Sequence, residues 1–125
     1  MQGGAVMWQS ERQRSIALSS AEAELVALSE SCRDARFIRC LHASIGSAIP
    51  NPTPAYVDNN SALTWAHHKA KWSASRHIAT RYFCVRDWKK AGQVLPLRVD
   101  TTRQLADMFT KALPHASFTY TCAAW

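Results

Sequence analysis

The sequence predicts an α/β domain with at least part of its sheet parallel. Strand-like segments alternate with segments of helical period, and the helical segments carry recognisable start and stop residues. No internal repeat or low-complexity stretch competes with that pattern. At 125 residues, 47% hydrophobic and 19% charged, the chain suits one small folded domain rather than a disordered tail.

Gly3 and Gly4 mark a turn, and Ala5 to Leu18 mixes apolar and polar residues in near alternation, so that segment reads as extended. Ser19 stands three residues before Glu22, the spacing of a capping box, and predicts a helix start. Leu25, Leu28, Cys32, Ala35, Ile38, Leu41 and Ile45 then form one helical stripe, closed by Gly46. Pro50, Pro52 and Pro54 make the next stretch a loop that leads into a short strand, Ala55 to Val57, with Asp58 at its C-terminal end.

Asn59 and Asn60 suit a turn and Ser61 an N-cap, followed by a helix from Ala62 to about Ala70. After a basic linker containing Trp72, the spacing of Ile78, Tyr82, Val85 and Trp88 predicts a helix from about Arg76. It ends at Lys89 and Lys90 with Gly92 at C′. Gln93 to Val99 reads as a strand, and Pro96 within it, lacking an N–H, points to a sheet edge. Thr101 or Thr102 can cap a last helix bearing Leu105, Met108, Phe109 and Ala112, ended before Pro114. The domain is expected to cover residues 1–114, with 115–125 an unstructured or degenerate tail.

No run of ~18 apolar residues exists to span a bilayer, and no signal-peptide pattern opens the chain, so an intracellular protein without a membrane partner is expected. Cys32, Cys40, Cys84 and Cys122 show neither disulfide nor zinc-ligand spacing. A net charge of +6 favours a polyanionic partner.

With only nine acidic residues, each can be given a role. Glu22 completes the cap, and most of the others suit solvated helix faces or turns. Glu24, Asp58 and Asp107 sit at element ends or early helical turns, from which a carboxylate can reach the end of a sheet. Asp58 directly follows a strand, where α/β proteins bind ligands, although a turn-forming aspartate is the plainer reading. Three carboxylates converging there would require hard cations such as Mg²⁺ or Mn²⁺. Two such ions would support phosphodiester hydrolysis without a side-chain nucleophile.

Three blocks resemble copia-type retrotransposon ribonuclease H domains in order and spacing: Ile16–Leu28 (IALSSAEAELVAL), Tyr56–Leu63 (YVDNNSAL) and Gln104–Pro114 (QLADMFTKALP). Weaker blocks at Gly3–Trp8, Arg76–Ile78 and Arg81–Tyr82 extend the resemblance to about residues 3–114. The resemblance implies a ribonuclease H-like mixed sheet flanked by helices. It also implies a nuclease that uses two Mg²⁺ (or Mn²⁺) ions to cut the RNA strand of RNA/DNA hybrids. Within a Pol polyprotein, the reverse transcriptase region would be its neighbour. Glu24, Asp58 and Asp107 match three of the family's four metal-binding carboxylates, while Glu22 does not match. Asn59, Ser61, Arg76, His77 and Arg81 are candidates for the hybrid-binding surface.

The family's first aspartate lies on an opening strand upstream of the Gly-Gly turn, and this sequence has no Asp or Glu before Glu11. The expectation is therefore a fold lacking its first strands, with unpaired sheet edges and little or no activity in the isolated chain. Trp72, Ala74 and Ala79 also stand where the family has His, Arg and Asp. The alternatives are a non-catalytic RNA- or hybrid-binding module, with Trp65, Trp72 and Trp88 stacking or packing nearby, and a structural remnant.

Overall fold

Helix α1 (Ser20–Ser44) begins with the predicted Ser19 cap, while Glu22 reaches one residue further back than a capping box does. Ser19 Oγ accepts from Glu22 N at 3.2 Å, and Glu22 Oε2 accepts from Leu18 N at 2.7 Å. The computed structural model describes residues 6–13, 16–67 and 76–124, the last stretch with side chains from 78 to 123. It comprises two units: Ala17–Arg98, here the α/β unit, and Met1–Ile16 with Val99–Trp125, here the terminal unit.

Gly46, at φ +75°, stops α1. Gly46 N donates to Ala43 O and Ser47 N to His42 O, so the last carbonyls are satisfied by a Schellman motif. The chain then forms β1 (Thr53–Val57), α2 (Asn60–His67), α3 (Arg76–Lys90) and β2 (Val94–Arg98). Gly92 closes α3 in the same way at φ +66°, with Gly92 N on Lys89 O and Gln93 N on Trp88 O. Strands β1 and β2 pair in parallel, Val57 opposite Arg98 and Ala55 opposite Pro96. Among the described residues the sheet is this one parallel pair rather than the mixed sheet the resemblance implies, and in a two-stranded sheet Pro96 necessarily lies on an edge strand.

One core cluster joins Leu28 and Cys32 of α1 to Val57, Ala62, Ala66, Val85 and Val94, with Trp88 packed against it. A second joins Leu25 and Val26 to Ile78 and Tyr82, with Trp65 alongside. Burial pushes the Cys32 thiol up to about 11. An ion pair crosses from α3 to α1, from Arg81 to Glu30.

The predicted stripe of α1 is buried only in its first half; Leu41 and Ile45 are 53% and 70% exposed. Length explains this. Twenty-five residues of helix run roughly 37 Å, whereas five-residue strands run roughly 17 Å, so α1 outreaches the sheet beneath it. The overhang is tied down by Arg39, which donates to Ile49 O, Asn51 O and Thr53 Oγ1 of the proline-rich loop.

Other expectations shift. The described part of the opening segment, residues 6–13 and 16–18, forms no strand. The Gly3-Gly4 turn and the Trp72 linker lie outside the described residues. Asn59, not Ser61, caps α2: its Oδ1 accepts from Ser61 N and Ala62 N at 2.9 and 3.1 Å. In the terminal unit the predicted last helix is two 3₁₀ helices, Thr101–Arg103 and Leu105–Phe109. Asp100, not a threonine, caps the first through Thr102 N. His115–Ala124, expected to be unstructured, forms helix α4, and Thr121 Oγ1 bonds back to Ser117 O and Phe118 O. No helix among the described residues is long and apolar enough to cross a membrane.

Candidate functional site

Because β1 and β2 are parallel, their C-terminal ends open on the same side of the sheet, and the residues there come from both strands and from the start of α2. Asp58 follows β1 and is half-buried. Among the described residues its carboxylate has neither an ion-pair partner nor a hydrogen-bond donor. Asn59 turns its side-chain oxygen into the α2 cap, and Ser61 is exposed in the first turn. Asn60 Oδ1 accepts from Arg98 Nη1, and Arg98 stands opposite Val57 in the strand register.

Arg98 is a residue that motif reading passes over. It lies in no matched block, and in the sequence it is only the polar end of a strand. The signal that could have found it is positional: a strand-final basic residue, once the strands are taken as parallel neighbours, must share a sheet end with Asp58.

Glu24 is half-buried in the second turn of α1. Glu22, two residues earlier, is buried and turned back onto Leu18 N, so the two glutamates of this block have different tasks, as their spacing from Ser19 predicts. Asp107 belongs to the terminal unit, within the 3₁₀ helix Leu105–Phe109. Its side chain is only 13% exposed, and its Oδ1 is held by Lys111 Nζ at 2.9 Å. Asp107 O also accepts from Thr110 N and Lys111 N, so the turn that carries the carboxylate is braced from both sides.

Arg81 is engaged within the fold. Its Nη1 donates to Ser29 Oγ at 3.0 Å and to Glu30 Oε1, joining α3 to α1. The Arg81 guanidinium, chiefly through its hydrogen bond, holds the Glu30 carboxyl below its ordinary value, and Arg33 adds to this. The side chains of Arg76 and His77 lie outside the described residues. Trp65 and Trp88 pack against the two core clusters, and Arg36 stacks 4.8 Å from the Trp88 ring centroid.

Hard oxygen donors are what Mg²⁺ or Mn²⁺ require, and an unpaired, half-buried carboxylate such as Asp58 fits such an ion. Within neither unit, among the described residues, do three or more His, Cys, Asp or Glu side chains gather into a metal-binding group.

No protein-family model and no solved structure matches the chain. Curated relatives do. The chain is 29% identical over 116 residues, 93% of its length, to the retrovirus-related Pol polyprotein from transposon TNT 1-94 of Nicotiana tabacum. It is also 29% identical over 113 residues, 90% of its length, to those from transposons RE2 and RE1 of Arabidopsis thaliana. It spans only 8 to 9% of the length of these relatives. The chain is therefore similar over nearly its whole length to a short stretch of the retrovirus-related Pol polyproteins of these plant transposons.

Proposed function

We propose that this chain is the ribonuclease H part of a retroelement Pol polyprotein, acting on the RNA strand of RNA/DNA hybrids beside the reverse transcriptase region. The observation that carries the reading is Asp58: an unpaired, half-buried carboxylate at the C-terminal end of a parallel strand pair, inside one of the three matched blocks. Glu24 and Asp107 occupy the other two. These three would hold the Mg²⁺ or Mn²⁺ ions, which when bound supply an activated water and stabilise the leaving oxygen.

The protein's own contribution is positioning. The Ser19 cap fixes the start of the helix bearing Glu24, the Asn59 cap fixes the turn after Asp58, and Lys111 orients Asp107. Lys111 also neutralises that carboxylate and would have to give way for Asp107 to hold a cation. The 125 residues contain no acidic group before Glu11, so the family's fourth ligand has no counterpart in this stretch. Incubated alone with a labelled hybrid and Mg²⁺, the chain is expected to cleave little or not at all. Joined to an upstream polyprotein segment carrying that aspartate, it is expected to cleave, and Asp58→Asn in the joined protein should abolish cleavage. Strong cleavage that survives Asp58→Asn would overturn the reading.

The second reading, a hybrid-binding module that does not cut, is favoured by the Lys111–Asp107 pair and the +6 net charge. It predicts salt-dependent hybrid binding with no cleavage in the joined protein. Stacking of bases on Trp65 or Trp88 forms no part of it, since both are committed to the core.

A further inference from the structure

Away from the carboxylates, the last turns of α2 and α3 border a small open cavity of about 190 Å³, lined by Ala66, His67, Arg86, Lys89 and Lys90. Its lining carries three permanent cations and no carboxylate. Arg86 and Lys89 make no ion pair among the described residues. Lys90 reaches Asp87 only at 4.0 Å, with side chains 67% and 71% exposed, a contact worth little.

Two contacts hold the His67 imidazole in place. His67 Nε2 lies 3.1 Å from Pro96 O, which can only accept, and His67 Nδ1 lies 2.6 Å from Lys89 Nζ, which can only donate. The tautomer with its proton on Nε2 satisfies both contacts and turns the Nδ1 lone pair to the ammonium. Arg86 is held in place by Tyr82: its Nη1 donates to Tyr82 Oη at 3.2 Å and its guanidinium stacks 5.3 Å from the ring centroid.

The plain explanation of lysines at a helix C-terminus is the helix dipole. It accounts for their presence in the last turn of α3. It does not account for Lys89 being drawn onto the His67 imidazole next to Arg86. The carbonyls of residues 87, 88 and 89 already accept from Ala91, Gln93 and Gly92. A comparable cavity at Arg36 and Arg39 differs in this respect, because those guanidinia are already bonded to Gln93, to loop carbonyls and to Thr53.

We propose that the His67–Arg86–Lys89–Lys90 cavity is a binding site for a phosphate-type oxyanion. Lys89 uses one of its three N–H donors on His67, and Lys90 is uncommitted apart from its distant Asp87. Pockets for drug-sized ligands begin near roughly 300 Å³, so this one suits a single tetrahedral group. His67 lies seven residues along α2 from Asn60, roughly 10 Å from the Asp58 end, so a bound nucleic-acid backbone could reach both. The site does not depend on the nuclease reading, because its occupant is a phosphodiester of a nucleic acid or free phosphate.

The test titrates the isotope-labelled full chain in two arms at constant ionic strength, one with inorganic phosphate and one with a short RNA/DNA hybrid. The His67 imidazole and the Lys89 and Lys90 ammonium resonances are followed by NMR. Lys89→Gln and Lys90→Gln serve as variants; Lys90 is exposed, so its variant keeps the fold. Saturable shifts at these resonances that weaken in the variants are expected. If the variants also lower hybrid affinity and reduce the salt slope by about 1 each, the occupant is a phosphodiester. If phosphate alone is affected, free phosphate is the occupant. Absence of saturable shifts in both arms, with hybrid affinity unchanged in both variants, overturns the proposal, whatever Asp58→Asn does to cleavage.

Discussion

The two units of the molecule are built by different means. Among the described residues, every buried apolar side chain lies in the α/β unit, whereas the terminal unit buries Thr121 and leaves Val6, Trp8, Phe118 and Tyr120 exposed. The α/β unit is held by side chains distant in sequence, such as Leu25 against Tyr82. The terminal unit is held mainly by short-range bonds: Asp100 to Thr102, Asp107 to Lys111, Thr121 to Ser117, with Ser10 Oγ on Phe109 O as a longer link. Glu24 and Asp58 therefore rest on a packed core, and Asp107 rests on its own turn. Stability of the chain and placement of its third candidate ligand are separable properties.

That separation can be broken most severely at Leu25, which is fully buried. Leu25→Ala is expected to cost about 2–5 kcal/mol in urea unfolding, a large part of a small domain's stability. Next come the helix ends. Ser19→Ala removes the acceptor for Glu22 N, and Gly92→Ala forces a side chain into φ +66° with open space around it, so its cost is conformational alone. About 1 kcal/mol is expected for each, read in the same assay.

The Arg81–Glu30 pair gives a smaller, pH-dependent effect. Glu30 titrates lower in the folded chain than its ordinary value of 4.5, so its contribution is present above that pH and is lost as the pH falls through the folded value. Glu30→Gln should lower stability at pH 7 by up to about 1 kcal/mol, and by progressively less as the pH falls below 4.5. Smallest of all, Phe118→Ala in the terminal unit should shift unfolding by about 0.5 kcal/mol or less. A loss as large as that of Leu25→Ala would show that the terminal unit has a core of its own.

The same division marks what could be read in the sequence. The Ser19 cap, the Gly46 and Gly92 stops and the helical phase of Ile78, Tyr82 and Val85 were legible because each is a local rule with a local consequence. Asn59 was misjudged in favour of Ser61 because both are good caps, and only the turn after Asp58 decides between them. The exposed end of α1 was illegible because periodicity reports a stripe, not the length of the sheet that covers it. Helix α4 carries almost no apolar phase, so no pattern announced it. Of the candidate site, the three carboxylates came from their positions at element ends and from motif resemblance. Arg98 and the His67–Lys89 contact came only from parallel register and helix packing, which bring residues 38 and 22 positions apart into contact.

Cys32 turns the packed unit into its own clock. Its thiol is buried and raised to about 11, while Cys40 and Cys122 are exposed. At pH 8 roughly one thousandth of the Cys32 thiol is ionised, and even that fraction is shielded from reagent. Alkylation followed by mass spectrometry would thus count fast-reacting surface thiols first. The slow final adduct would record each opening of the α/β core, so the chain's stability could be timed without a denaturant or an added probe.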